Sequence, residues 1–200
     1  GQIIRQLADG KQLLVQLRIP EGITLTRIAE LAEEAGVASA KDILTLAVDP
    51  AFALELGLPK GAGLEGYLYP DTYFLPKAAG ANVALSLMVS TFRTKLSQAI
   101  PESVGLPAEE LHKKVILASI VEREYRLPEE APRMASVFLN RLKIGMALQS
   151  CATVVYVITQ RLGKPHPSRL FDRDLEIPDP FNTYRQPGLP PAPIANPGLV

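Results

Sequence analysis

Leu13-Leu14-Val15-Gln16-Leu17-Arg18-Ile19 alternates, placing Leu13, Val15, Leu17 and Ile19 on one face and predicting a strand. Pro20-Glu21-Gly22 turns the chain, and the period then changes to that of a helix. Thr24 is its expected N-cap, with Ile28, Leu31 and Ala32 facing inward and Gly36 as the stop. A second short helix opens at Ser39, with Asp42 at capping distance, and ends before Asp49-Pro50. Pro59 to Gly63 has loop chemistry. The aromatic stretch Leu64 to Phe74 predicts two short strands around a Pro70-Asp71 turn. Asn82 is the expected cap of a long helix to about Ser97, with Leu85, Met88, Phe92 and Leu96 on one stripe.

The central pattern predicts a helix from about Glu109 to Tyr125. From Val115 to Val121 it is apolar nearly all round, as in a helix buried on most sides. The next helix runs from about Glu129 to Lys143, with Pro128 before it, Gly145 after it and a stripe of Met134, Val137, Phe138 and Leu142. Ala152 to Leu162 reads as a helix by length and by its Gly163 stop, although Val154, Val155 and Val157 suit a strand. Beyond Pro165 the periodicity dissolves into proline-stiffened segments, expected to be ordered surface loop, around Asn182-Thr183-Tyr184 and Gly188 to Ile194. The pattern as a whole is α+β: a small α/β module over residues 1–50, then a mainly helical domain over 51–200 with short strands and a proline-rich loop.

Of the 200 residues, 47% are hydrophobic, enough for a buried core. With 21 basic and 21 acidic side chains the formal charge is zero, which argues against a sequence-independent nucleic-acid binder. No apolar run reaches about 18 residues, the length of a membrane span. The start, Gly1-Gln2-Ile3-Ile4-Arg5, has neither an initiator Met nor a signal-peptide pattern, so any anchor or export signal would lie upstream. One cysteine, Cys151, excludes an intramolecular disulfide and a multi-cysteine zinc site.

Glu122 follows directly on the oily run Val115 to Val121. Burial penalises the charged form of a carboxyl and raises its pKa, which suits a general acid near neutral pH and the proton donors of glycosidases. The plainer interpretation is a solvated helix-end glutamate paired with Arg126 at i+4. Glu124 points about 200° away on an ideal helix, so only one of the two carboxylates can enter a given cleft. Gln149 could hydrogen-bond a sugar or simply satisfy loop backbone. Cys151 as a nucleophile would need His112 or His166 as base, and no cysteine-protease signature surrounds them. Asp172, Asp174, Glu176 and Asp179 lack the central glycine of a calcium loop and are expected to be solvated; no metal is expected.

Several segments together resemble one family. They are Leu64-Glu65-Gly66-Tyr67-Leu68-Tyr69-Pro70-Asp71-Thr72-Tyr73, Ala118 to Glu124, Ala135 to Leu142, Ile144 to Ser150, Asn182-Thr183-Tyr184 and Gly188 to Gly198. They are similar to the motifs of the YceG-like endolytic murein transglycosylases, in the family's order. The resemblance implies a bacterial peptidoglycan lyase outside the cytoplasmic membrane, held by an N-terminal helix not in this chain. It implies that the module over residues 1–50 is LysM-like, that glycan strands are the substrate, that cell-wall synthesis proteins are partners, and that no cofactor is needed. Glu122 falls at the family's catalytic position. Gln149, Ser150, Asn182, Tyr184 and Glu65 fall in its cleft-lining motifs and are expected to bind substrate. Two departures stand out. Cys151-Ala152 replaces a common aspartate-proline pair, and the chain stops at Val200, short of the family's usual C-terminal segment. A water-using muramidase, with Glu65 or Asp71 as second carboxylate, and an inactive glycan-binding scaffold are the competing functions.

Overall fold

The computed structural model describes residues 13–199. Strand β1 (Leu14–Arg18) pairs antiparallel with β2 (Thr72–Pro76), Val15 opposite Leu75 and Leu17 opposite Tyr73. Between them lie α1 (Leu25–Glu34), α2 (Ala40–Ala47) and α3 (Pro50–Glu55). The rest is helical: α4 (Ala81–Ala99), α5 (Ala108–Val121), α6 (Ala131–Lys143), α7 (Cys151–Tyr156), which widens into a π-turn over Val157–Arg161, and the four-residue α8 (Asp172–Leu175). The fold is α+β, as expected. No helix among the described residues is long and apolar enough to cross a membrane. The first twelve residues of the expected N-terminal module lie outside the described residues.

The expected caps of the first two helices are present. Thr24 Oγ1 accepts from Arg27 N at 3.5 Å, and Ser39 Oγ accepts from Asp42 N at 3.1 Å. Other expectations need correction. Leu13 is 72% exposed, since it precedes the paired part of β1. Pro50 does not merely end α2 but opens α3, with Asp49 capping Ala51 N at 2.8 Å. Only one strand forms from Leu64 to Phe74. The backbone of Gly66 and Leu68 donates instead to the side chain of Asn196, so no ladder can start there. Helix α4 begins at Ala81, with Gly80 (φ +89°, its N–H donating to Val37 O) rather than Asn82 at the N-cap position. Helix α5 ends at Val121, where tighter turns carry the chain to Tyr125. Val137 is 47% exposed, so the α6 stripe narrows to Phe138 with Met134 and Leu142 partly covered. The Ala152–Leu162 segment is helical, as its length suggests.

Two cores share α5. The first gathers β1, β2, α1, α2, α4 and Val115; the second gathers Ile116, Ile120, Val121, Phe138, Val157, Phe181 and Ile194. A helix with cores on opposite sides has little room for a polar face over that stretch, which explains an apolar run broken only by the buried Ser119. The loop expected on the surface is in fact wedged between them: residues from Pro193 to Pro197 are buried. A buried loop must satisfy its own backbone. Ser119 Oγ accepts from Ile194 N at 3.0 Å while donating to Ile116 O at 2.7 Å, and Asn196 N donates to Ile23 O at 3.0 Å.

Candidate active site

Glu122 caps the C-terminus of α5 and is half-buried. Its Oε1 accepts from the Tyr125 hydroxyl at 3.1 Å and its Oε2 from Gly198 N at 3.1 Å. Arg126 is not its partner. Burial raises the pKa of Glu122; the Gly198 and Tyr125 hydrogen bonds oppose this, the charge of Glu21 adds to it, and Arg123 opposes it. The carboxyl borders a cavity of ≈ 430 Å³ shared with Lys114, Ala118, Ala135, Leu139, Pro197 and Gly198. A half-buried carboxyl of raised proton affinity at an open cavity can deliver a proton to a bound glycosidic oxygen.

Asn196 assembles this site from three distant parts of the chain. Its Oδ1 accepts from Gly66 N (2.8 Å) and Leu68 N (3.0 Å). Its Nδ2 donates to Ile23 O (3.1 Å) and to Glu65 Oε1 (2.7 Å), and its carbonyl accepts from Gly22 N at 2.8 Å. Pro197 and Gly198 follow directly, so the amide that binds Glu122 is held by this knot. Gly66 fits because φ is +89° and a Cβ would stand 2.6 Å from Pro193 and 2.8 Å from Val115. The turn at Gly22, φ +69°, also lies against the acid: a Cβ there would be 3.3 Å from Glu122 Cγ.

Glu65 sits at the head of α1, where both carboxylate oxygens accept from Leu25 N at 2.9 and 3.1 Å. Although the residue keeps some accessible surface, its carboxylate is enclosed by protein. Burial raises its pKa to about 8 against the opposing bonds from Leu25 and Asn196. Asp71 accepts from Thr72 N at 2.7 Å and lies 3.8 Å from Lys95. Neither Glu65 nor Asp71 is hydrogen-bonded to Glu122, whose partners are Tyr125 and Gly198.

Two residues beyond Glu122, Glu124 anchors a second polar cluster. Its Oε1 accepts from the Ser150 hydroxyl and from Ala152 N (3.3 Å). Ser150 N donates to Thr183 Oγ1 at 3.0 Å, and the Thr153 and Thr183 hydroxyls meet at 2.9 Å. Asn182 is fully buried: its Nδ2 donates to Leu175 O and Ile177 O, both 2.9 Å, and its Oδ1 accepts from Tyr184 N at 3.0 Å. Its amide therefore holds its own loop. Gln149 is exposed, with φ +53°, and borders a smaller cavity of ≈ 200 Å³ with Glu124, Phe138 and Arg141. Tyr184 OH lies 3.2 Å from Cys151 Sγ, and burial pushes its pKa up to about 12. Cys151 meets neither histidine: His112 bonds Tyr67 OH (2.7 Å) and His166 contacts Pro167 O (2.9 Å). The late carboxylates serve separate partners, Asp174 bonding Phe171 N (2.9 Å) and Asp179 pairing with Arg161 (2.6 Å). Among the described residues no group of three or more metal-ligating side chains comes together.

Five further residues shape the surroundings of Glu122: Glu21, Gly22, Tyr125, Asn196 and Gly198. Pro20-Glu21-Gly22 reads as a turn, and nothing local marks it as a neighbour of Glu122. The Asn-Pro-Gly triplet was visible within the last motif, but its hydrogen bonds reach from 76 residues away, for Gly198 to Glu122, to 173, for Asn196 to Ile23.

The chain is 32% identical over 216 residues to a protein of Bacillus subtilis named endolytic murein transglycosylase, covering 98% of this chain and 57% of that one. It is 31% identical over 211 residues to a Streptococcus pneumoniae protein of the same name, covering 94% of this chain and 37% of that one. The chain thus spans between about a third and just over half of these relatives. A crystal structure of a YceG-like protein from Listeria monocytogenes superposes with a TM-score of 0.77 at 33% identity, over 98% of this chain and 67% of that one. The YceG-like family model matches residues 1–200, and the chain belongs to the YceG-like family.

Proposed function

We propose that the chain carries the catalytic part of an endolytic peptidoglycan lytic transglycosylase, with Glu122 as its acid and then its base. The observation that carries this reading is the half-buried Glu122 carboxyl lining the cavity, its pKa raised by burial. The names of the relatives support the substrate class.

In the proposed reaction Glu122 gives its proton to the oxygen bridging N-acetylmuramic acid and N-acetylglucosamine. The bond from that oxygen to the muramyl C1 breaks, and positive charge gathers on the muramyl ring. The muramyl C6 hydroxyl then bonds to C1 and returns its proton to Glu122, closing a 1,6-anhydro ring. Glu122 ends as it began, protonated, and no water is consumed. Tyr125 and Gly198 hold the carboxylate between the two transfers.

Among the residues expected to bind glycan, Gln149 and Tyr184 keep accessible side chains, and we assign contact with the sugar chain to them. Ser150, Asn182 and Glu65 spend their polar atoms on internal bonds, and we assign them to framing the cleft. The LysM-like reading of the N-terminal part is supported by the order β1–α1–α2, with the second strand, β2, supplied from beyond residue 50. The family resemblance supports action outside the cytoplasmic membrane, where peptidoglycan lies.

Mass spectrometry of glycan fragments released from purified peptidoglycan tests the reading. The wild type is expected to leave anhydro ends inside chains, and a folded Glu122→Gln variant to leave none. Undiminished cleavage by that variant refutes the assignment. Reducing ends, heavier by one water, favour a muramidase instead.

A further inference from the structure

We propose that Glu21 is a second carboxylate of this active site, a positioning residue that acts through Glu122, so that the N-terminal α/β unit completes the site. The inference rests on Glu122 being the acid.

Three contacts place Glu21 there. A methyl group on Gly198 would collide with the Glu21 carboxylate, so that carboxylate packs directly on Gly198. The N–H of the same glycine is bonded to Glu122 Oε2 at 3.1 Å. The two carboxylates are therefore one glycine apart. Gly22, the next residue, lies against the stem and carboxylate of Glu122 and is fixed from both sides. Its N–H goes to Asn196 O at 2.8 Å, and its carbonyl accepts from Arg123 Nη1 at 3.0 Å. The turn that presents Glu21 is thus as firmly held as the acid itself.

The cation placed nearest the Glu21 turn, Arg123, spends a guanidinium N–H on the Gly22 carbonyl. Among the described residues Glu21 makes no ion pair. The charged and titratable groups about Glu122 are Tyr125 and Arg123 from its own turn, Lys114 from α5, and Glu21 from the β1–α1 turn. Helix α6 contributes Ala131, Pro132, Ala135 and Leu139 to the cavity, none of them charged. Arg123 works against protonation of Glu122, and Glu21 works for it. Tyr125, which bonds Glu122, feels the charge of Glu21 as well. A negative charge placed there favours the protonated form of Glu122, adding to the larger effect of burial.

The test uses the full-length protein on purified peptidoglycan, with the pH profile of kcat/KM as the readout. Its basic limb reports ionisation of Glu122 in the free enzyme. Glu21→Gln keeps the shape and removes the charge, so the limb is expected to move to lower pH by about 0.5–1 unit. Glu21→Asp keeps the charge and is expected to bring the limb back towards the wild type. Added salt is expected to shift the wild-type limb downwards more than that of Glu21→Gln, because it screens a charge that the variant lacks. A uniform loss of rate with an unmoved limb overturns the proposal, since a merely structural residue would behave so. Release of reducing ends by the wild type and of none by Glu21→Gln also overturns it, because Glu21 would then be the base that activates water. Full activity in Glu122→Gln refutes the parent reading, whatever the Glu21 variants do.

Discussion

Raising the pH from about 4.5 to 8 tests the Glu65 cap of α1. Burial lifts this carboxyl from its ordinary 4.5 to about 8, although it accepts hydrogen bonds from Leu25 N and Asn196 Nδ2. Across that window the folded chain holds a proton that the unfolded chain has released. Stability therefore falls as pH rises, starting near the unfolded value and levelling off above the folded one. The gap, at about 1.4 kcal/mol per pH unit, comes to about 5 kcal/mol at full extent. Such a loss is comparable to the whole stability of many domains. Urea unfolding at fixed salt, from pH 4.5 to 8.5, measures it. Glu65→Gln provides the comparison. Its single carbonyl oxygen can keep the bonds now made to Oε1, from Leu25 N at 2.9 Å and Asn196 at 2.7 Å, and it cannot ionise. The variant is expected to lose most of the slope and to be the more stable protein at pH 8. Glu122 is raised as well and contributes a residual slope in the same direction to both. Identical slopes in the two proteins would refute the reasoning, because the penalty could not then reside in Glu65.

Asn196→Ala removes four side-chain hydrogen bonds and leaves Gly66 N and Leu68 N buried without acceptors, so a loss of about 3 kcal/mol in urea unfolding is expected. Gly66→Ala places a methyl 2.6 Å from Pro193 at φ +89°, and it should cost more than about 2 kcal/mol and lower the yield of folded protein.

The legible parts of the fold were those with local causes. Thr24 and Ser39 announce their helices because a cap is a contact over three residues. The apolar run before Glu122 was visible because α5 meets a core on each side. The misread parts have distant causes. Leu64 to Tyr69 carries strand-like residues, yet the Gly66 and Leu68 amides are claimed by Asn196, some 130 residues away. The Pro193–Pro197 loop has surface composition, but Ser119 and Ile23 satisfy its backbone and allow it inside. For the candidate site, Glu122 could be picked out from its own neighbourhood and the family motifs. Glu21 could not, since only the folded chain brings the β1–α1 turn against Gly198.

The Asn196 knot also bears on the order in which the protein is made. Its bonds to Gly66, Leu68, Glu65 and Ile23 close loops of 128 to 173 residues. Closures of that length cost chain entropy before they return any contact, so we predict that they form late in folding, with the Gly66 and Leu68 amides among the last protected in pulsed hydrogen exchange. A ribosome-bound or nicked chain can then hold a complete α5 whose terminal glutamate has neither the Gly198 amide nor the Glu21 turn beside it. The surroundings of Glu122 are complete only when the β1–α1 turn and the Pro197-Gly198 segment have come together beside it.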